Sequence, residues 1–269
     1  MVSNTSTMIH TALTLLSLTL TLGLVPVPGR AQAPDWAKVR VGVEANYPPF
    51  SKMGTDGKYS GFDIDIANAI CAEMKAQCTL VAQEWDGMMP ALNARKFDMI
   101  VASMTISEER LKVATFSDSY YDIPSSFIAK TGKLKDISAA ALKGKTIIVT
   151  RNTPRAKYVA QTYKESSVLL VAKEADVTME LAAGRGDVGF GSSLAATTAF
   201  LQSPEGKSFS KIGPPINPSG NAAGGTGIAM RKGEEALRLK VNAALKAISA
   251  NGVYKSINDK YFDVSIRGQ

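Results

Sequence analysis

The segment Phe97-Asp98-Met99-Ile100-Val101-Ala102-Ser103-Met104-Thr105-Ile106-Ser107-Glu108-Glu109-Arg110 decides the fold. Its apolar run, residues 97–101, reads as a buried strand of a parallel sheet. Small hydroxyl residues follow, and Ser107-Glu108-Glu109 is a helix start with acids in the first turn. Arg110 stands in that opening turn. Hydroxyls, backbone N–H groups and a guanidinium are thereby gathered at the carboxyl edge of a strand, where open α/β sheets bind their ligands. An arginine there can grip a carboxylate bidentately while helix-terminal amides add charge-assisted bonds. An ion pair with a neighbouring surface acid is the other reading of Arg110.

On the N-terminal side, residues 39–43 alternate as a strand, and Glu44-Ala45-Asn46-Tyr47-Pro48-Pro49-Phe50 reads as an ordered turn stiffened by its prolines. A helix is predicted from near Asp63, with Ile64, Ala67, Ile70 and Cys71 on its apolar face, then a strand over 78–81. A short helix opens at Trp85-Asp86-Gly87. The βαβαβ order implies a parallel sheet with right-handed crossovers. On the C-terminal side a second series follows: strands over 127–129, 146–150, 168–171 and 188–191, with helices from Pro154, over 176–183, and from Ser192 or Ser193 to Leu201. Thr153 is an N-cap residue with Pro154 at the first helical position. Residues 213–220, rich in Gly and Pro, read as a crossing back to a strand over 227–230 and helices over 234–250 and 254–261. The chain leaves one α/β unit, builds a second and returns. Two crossings make a hinge over a cleft.

Length and composition agree. The chain has 269 residues, is 45% hydrophobic and 20% charged, and carries a net charge of +7. The basic residues are dispersed, which argues against a nucleic-acid surface. Residues 11–25 are Leu- and Thr-rich, and Gly29-Arg30-Ala31-Gln32-Ala33 ends the stretch. This reads as a secretory signal peptide over residues 1–31, cleaved after Ala31 in preference to Ala33, although it lacks a basic start. A chain starting at Gln32 keeps 30 Lys and Arg against 24 Asp and Glu, for +6. Export into an oxidising compartment makes a disulfide the expected state of Cys71 and Cys78. The only histidine is His10, inside the leader, so the mature chain has no Ser-His or Cys-His nucleophile and no His-containing zinc site. No cofactor is expected.

Five segments in order, 41–50, 61–65 (Gly-Phe-Asp-Ile-Asp), 85–92 (Trp-Asp-Gly-Met-Met-Pro-Ala-Leu), 102–110 and 225–232 (Gly-Thr-Gly-Ile-Ala-Met-Arg-Lys), resemble the periplasmic amino-acid-binding proteins of ABC importers. The branch they resemble is that of the lysine/arginine/ornithine-, histidine- and opine-binding proteins, and the likeness spans residues 38–264. It implies an α/β fold of the type II periplasmic-binding-protein kind: a two-lobed Venus flytrap with two hinge crossings. Residues 32–122 and 218–269 would form one lobe and 123–217 the other. The resemblance implies a carboxylate anchor at Arg110, with Thr105 and the backbone of Ala102 and Ser103 holding carboxylate and amine. Tyr47 and Trp85 would sandwich the ligand's side chain, Thr150 and Thr153 would close from the second lobe, and Glu44 would meet a far cationic end. It also matches the Cys71–Cys78 pair to the branch's disulfide. Where the family places an Asp for the ligand's ammonium, this chain has Ser192. A serine cannot neutralise a buried ammonium. Opine-binding relatives also carry a small residue there, so an N-substituted ligand is expected alongside a free cationic amino acid.

Each residue has a plainer reading too. Tyr47 and Trp85 read as core residues, Glu44 as a surface acid and Ser192 as a helix cap; Arg155, a further candidate for a second carboxylate, reads as an exposed helix residue, and Asp63 and Asp65, which could suggest paired catalytic acids, read as acids capping the start of a helix. The expected function is a monomeric periplasmic receptor, not an enzyme, that hands a small amino acid or opine-like derivative to an ABC permease in the inner membrane. A cyclohexadienyl-dehydratase-like enzyme on the same scaffold, with Glu44 as general acid, is the alternative, and a detached sensor domain is a third reading.

Overall fold

The computed structural model describes residues 1–2, 36–218 and 225–267. The chain divides into two units, residues 1–34 and 35–269. The leader and its cleavage sites lie outside the described residues, as do positions 219–220, the end of the predicted second crossing, and 221–224.

From Lys38 the chain forms β1 (Lys38–Val43), three short strands β2 (Asn46–Tyr47), β3 (Ser51–Met53) and β4 (Tyr59–Ser60), and helix α1 (Phe62–Glu73). Strand β5 (Gln77–Ala82), a 3-10 turn at Trp85–Gly87, α2 (Met88–Asn93), β6 (Met99–Ile100), α3 (Glu108–Val113) and β7 (Ala114–Phe116) follow. The second series is β8 (Ser125–Lys130), β9 (Thr146–Thr150), α4 (Pro154–Thr162), β10 (Ser167–Val171), α5 (Glu174–Ala182), β11 (Val188–Ser192), α6 (Ser193–Ala195) running into a π-helical turn (Ala196–Leu201), and β12 (Phe209–Ile216). The chain then returns as β13 (Ala229–Arg231), α7 (Glu235–Ala250) and α8 (Val253–Tyr261).

Two five-stranded sheets result, ordered β5-β1-β6-β13-β7 and β10-β9-β11-β8-β12. The strands joined by helical crossovers pair in parallel, β1 with β5 and β6, and β9 with β10 and β11. The βαβαβ strands are parallel as expected, and the sheets are completed by antiparallel pairs: β13 with β6 and β7, and β8 with β11 and β12. These are the strands that enter or leave each sheet without a helical crossover. Helices cover both faces. Val41, Ile66, Ile70, Val241 and Leu245 pack on one side of the first sheet, and Met88, Leu92, Phe97 and Ile100 on the other. In β9, Ile147 and Val149 face one core and Ile148 the opposite one, the period-two alternation of a central strand. Cys71 and Cys78 form a disulfide joining the end of α1 to β5.

Three sequence expectations change. Residues 44–50 are not only a turn, because Asn46–Tyr47 within them is β2, which joins β3 and β4 in a small antiparallel sheet. Gly213, Pro214 and Pro215 belong to β12 rather than to a crossing. Prolines are tolerated because β12 is an edge strand whose register shifts between Ile212 and Ile216. Asp63 does not cap α1. The N-cap is Gly61, whose φ of 130° no side chain favours and whose added Cβ would lie 2.3 Å from the Phe50 carbonyl oxygen.

Candidate functional site

The carboxyl ends of β1 and β6 in the first sheet face those of β9 and β11 in the second, and loops from both meet. Trp85 Nε1 donates to the Arg151 carbonyl at 3.2 Å, and Arg151 Nε and Asn152 Nδ2 donate to the Asp86 carboxylate at 2.6 and 2.7 Å. Glu84 pairs with Lys173 at 3.0 Å, and Glu109 pairs with Lys157. Between the lobes lies a cavity of about 30 Å³ lined by Glu44, Tyr47, Trp85, Ala102, Ser103, Thr150 and Thr153, and also by Arg155 and Glu174.

On the first lobe the strand edge is built around a buried acid. Ser103 takes φ 52°, in the left-handed region that a non-glycine residue occupies only when its surroundings hold it there. Its hydroxyl donates to Asp63 at 2.7 Å, and the Tyr120 hydroxyl donates to the other oxygen of the same carboxylate at 2.8 Å. Burial pushes the Asp63 carboxyl up to about 7 against the pull of those two bonds. Asp63 is thus a positioning residue for Ser103, a role its place in the first turn of α1 conceals.

Arg110 is reached through Ser107, whose hydroxyl caps α3 by accepting from the Arg110 N–H at 3.4 Å. Its guanidinium lies 5.1 Å from the centre of the Trp85 ring and donates to the Thr105 carbonyl at 2.8 Å and the Asn152 carbonyl at 2.9 Å. Those bonds engage two of the five guanidinium N–H groups. Among the described residues no carboxylate forms an ion pair with it. Burial, then the nearby Arg155, lowers its pKa to about 10. The surface-ion-pair reading is therefore set aside. Arg110 is not itself on the wall of the small cavity. Drawn to the two carbonyls, it lines an adjoining open groove with Ser107, Asn152 and Lys157. Thr105 faces a third hollow with Thr226, and Ser192 lines a separate, larger cavity.

Glu44 is 5% exposed and its Oε1 has no hydrogen-bond partner. Burial, with Glu174, Glu84 and Asp63 nearby, pushes its carboxyl up to about 8. It is not a surface acid. Tyr47 joins both readings, since its ring packs 5.0 Å from Phe50 in the core and also walls the cavity.

The second lobe departs most from expectation. Arg155 is not exposed: its side chain is 16% accessible and its Nη2 donates to Glu174 Oε2 at 2.6 Å. The Thr150 hydroxyl donates to the same oxygen at 2.7 Å, and the Ser192 N–H donates to Oε1 at 2.7 Å. Glu174 thus ties together the ends of β9, α4 and β11. Gly191 makes room for it, because a Cβ there would stand 2.6 Å from Oε1. The buried acid that position 192 lacks is supplied beside it by Glu174, from the first turn of α5. Arg155 keeps Nε buried and without a partner. The Thr153 hydroxyl donates to the Thr150 carbonyl at 2.6 Å and caps α4 by accepting from Ala156 at 3.1 Å, so both its functions are local. Ser192 caps α6, as its plainer reading held. Among the described residues no cluster of His, Cys, Asp and Glu could hold a metal ion, and no helix is long and apolar enough to cross a membrane.

Residues 39–264 match the model of the bacterial extracellular solute-binding proteins, family 3. The chain belongs to that family. It is 42% identical over 232 residues to the L-arginine-binding protein of Pseudomonas aeruginosa, covering 86% of this chain and 90% of that one. It is 34% identical over 257 residues to the lysine/arginine/ornithine-binding periplasmic protein of Escherichia coli, covering 94% and 98%. Among solved structures, an ancestral arginine-binding protein bound to arginine superposes with a TM-score of 0.76 at 32% identity, covering 84% of this chain and 98% of that one. The fold is accordingly the two-domain α/β architecture of periplasmic binding proteins.

Proposed function

We propose that this member of the family is a periplasmic receptor that closes on an amino acid with a cationic side chain and delivers it to an ABC permease in the inner membrane. In that reading residues 32–122 and 218–269 form one jaw and 123–217 the other. The observation that carries it is the charge layout around one small cavity: a half-buried cation with no acid partner among the described residues, Arg110, stacked on the wall residue Trp85, and two buried acids, Glu44 and Glu174, in the wall itself beside Arg155. An amphoteric ligand answers that layout. Its carboxylate goes to Arg110, its ammonium to Glu174, and its cationic end to Glu44, which ionises as the cation arrives. Similarity to proteins named for arginine and for lysine, arginine and ornithine supports the same class.

Arg155 favours a second reading of the ligand. With Glu44 ionised, Arg110 and Arg155 balance Glu44 and Glu174. A free cationic amino acid then leaves one uncompensated positive charge in a buried site, which is costly. An amino acid whose amine carries a second, carboxylate-bearing arm leaves none, and that carboxylate would meet Arg155. Calorimetry with L-arginine, L-lysine, L-histidine and Nα-(1-carboxyethyl)-L-arginine tests both readings. Binding of none of these refutes the receptor assignment. A dehydratase also needs a protonated acid, and Glu44 would serve. Steady release of an aromatic product from arogenate or prephenate would overturn the receptor in favour of the enzyme.

A further inference from the structure

Beside the small cavity lies a larger one, of about 330 Å³, on the second lobe. Its walls are mostly apolar, with Ile128, Val177, Met179, Ala196 and Phe200, and Thr178, Ser203 and the exposed Glu205 also line it. Tyr47 and Glu174 line both cavities and form the partition between them, and Ser192 lies on the wall of the larger one. Small residues at 191, 192, 195, 196 and 199 open this space where β11 passes into α6 and the π-helical turn. A longer acid at position 192 would carry charge into it beside Ile128 and Phe200, whereas Glu174 supplies the acid from the partition and leaves that part of the wall apolar. The volume is at the lower end of the range of small-molecule sites, about 300–1,000 Å³.

We propose that this chamber receives an apolar substituent carried on the ligand's amine nitrogen. The proposal rests on the receptor reading above and gives it a specificity element: an amine held at the Glu174–Tyr47 partition presents any group bonded to it to the larger cavity. A branched alkyl or aryl group on the first carbon of the amine's arm fits, while the carboxylate on that same carbon turns to Arg155. Ala182 and Ala199 stand exposed at the rim, so a larger residue there narrows the chamber without disturbing the core or the charged network.

The test is calorimetry of the full chain with three probes: L-arginine, Nα-(1-carboxyethyl)-L-arginine and Nα-(1-carboxy-3-methylbutyl)-L-arginine. The last two differ by three carbons, and burial of those carbons predicts that the larger probe binds about ten- to fiftyfold tighter. Ala199→Leu and, separately, Ala182→Leu should remove most of that gain while changing the affinity for L-arginine less than about threefold. Equal affinity for the two derivatives, or a gain that survives both substitutions, overturns the chamber and leaves the receptor standing. Binding of none of the three probes overturns the receptor reading and the chamber with it.

Discussion

Replacing Glu174 by Ala removes the acceptor of three hydrogen bonds, from Thr150, Arg155 and the Ser192 N–H, at a buried position. The largest loss falls on Arg155, whose guanidinium already has an unpartnered Nε and would keep its charge without a counter-ion. Breaking a buried ion pair from one side costs about 3–5 kcal/mol, because the remaining charge is stranded. For a domain of this size about 1 kcal/mol moves the melting temperature by roughly 2–4 °C, so Glu174→Ala should lower it by roughly 6–20 °C. The double variant Glu174→Ala/Arg155→Met removes both charges and should recover much of that loss, since an apolar pair of similar volume is often as stable as the ion pair it replaces. Thermal unfolding by circular dichroism, run as a double-mutant cycle, reads the coupling directly. A drop of only a degree or two for Glu174→Ala, or a double variant as unstable as the sum of the singles, would refute the account of Glu174 as the charge that holds Arg155, β9 and β11 together.

Three other outcomes are expected. Glu44, raised to about 8 when folded, binds its proton more tightly there than in the unfolded chain, so its contribution to stability is present at low pH and is lost as pH rises from about 4.5 to about 8. Glu44→Gln should flatten that part of a melting-temperature-against-pH profile, and an unchanged slope would show that Glu44 is not the group responsible. Removing the disulfide with Cys71→Ser/Cys78→Ser opens a loop with a sequence separation of 7 and should cost about 2.5 kcal/mol in the chain-entropy account, measured by urea unfolding. Asp63→Ala strips the acceptor from both Ser103 and Tyr120, and calorimetry should show ligand affinity weakened about tenfold or more if Ser103 must be held in place to bind. Wild-type affinity in that variant would remove Asp63 from the account.

The order of strands and helices was legible because each element carries its own local signal. Thr146–Thr150 is a bounded apolar run, and Thr153-Pro154 marks a helix start by residue types that suit it physically. Seven of the residues expected at the site from family likeness do line one cavity, because they sit at strand ends that the topology brings face to face. The hidden part was the pairing of charges across sequence distance. Glu174 reads as one of several first-turn acids, with Asp176 two residues on, and helix periodicity placed the helix start after it. Only the fold brings it against Arg155, nineteen residues earlier, and against Ser192, eighteen residues later. Asp63 was hidden in the same way, since its place in a helix's first turn suggests a dipole role, while burial and two hydroxyl donors make it a support for Ser103. The two prolines of β12 gave a misleading signal, because an edge strand with a register shift does not need the N–H groups they lack.

In the proposed function Arg110 anchors the carboxylate of an amino-acid ligand between the two lobes. Titration of L-arginine into the wild-type chain and into Arg110→Ala, with thermal unfolding of each to confirm the fold, tests it most directly. Loss of a desolvated charge contact costs about 2–5 kcal/mol, so the variant should bind at least about thirtyfold more weakly, with a melting temperature close to wild type. Undiminished affinity in a folded Arg110→Ala would contradict the account.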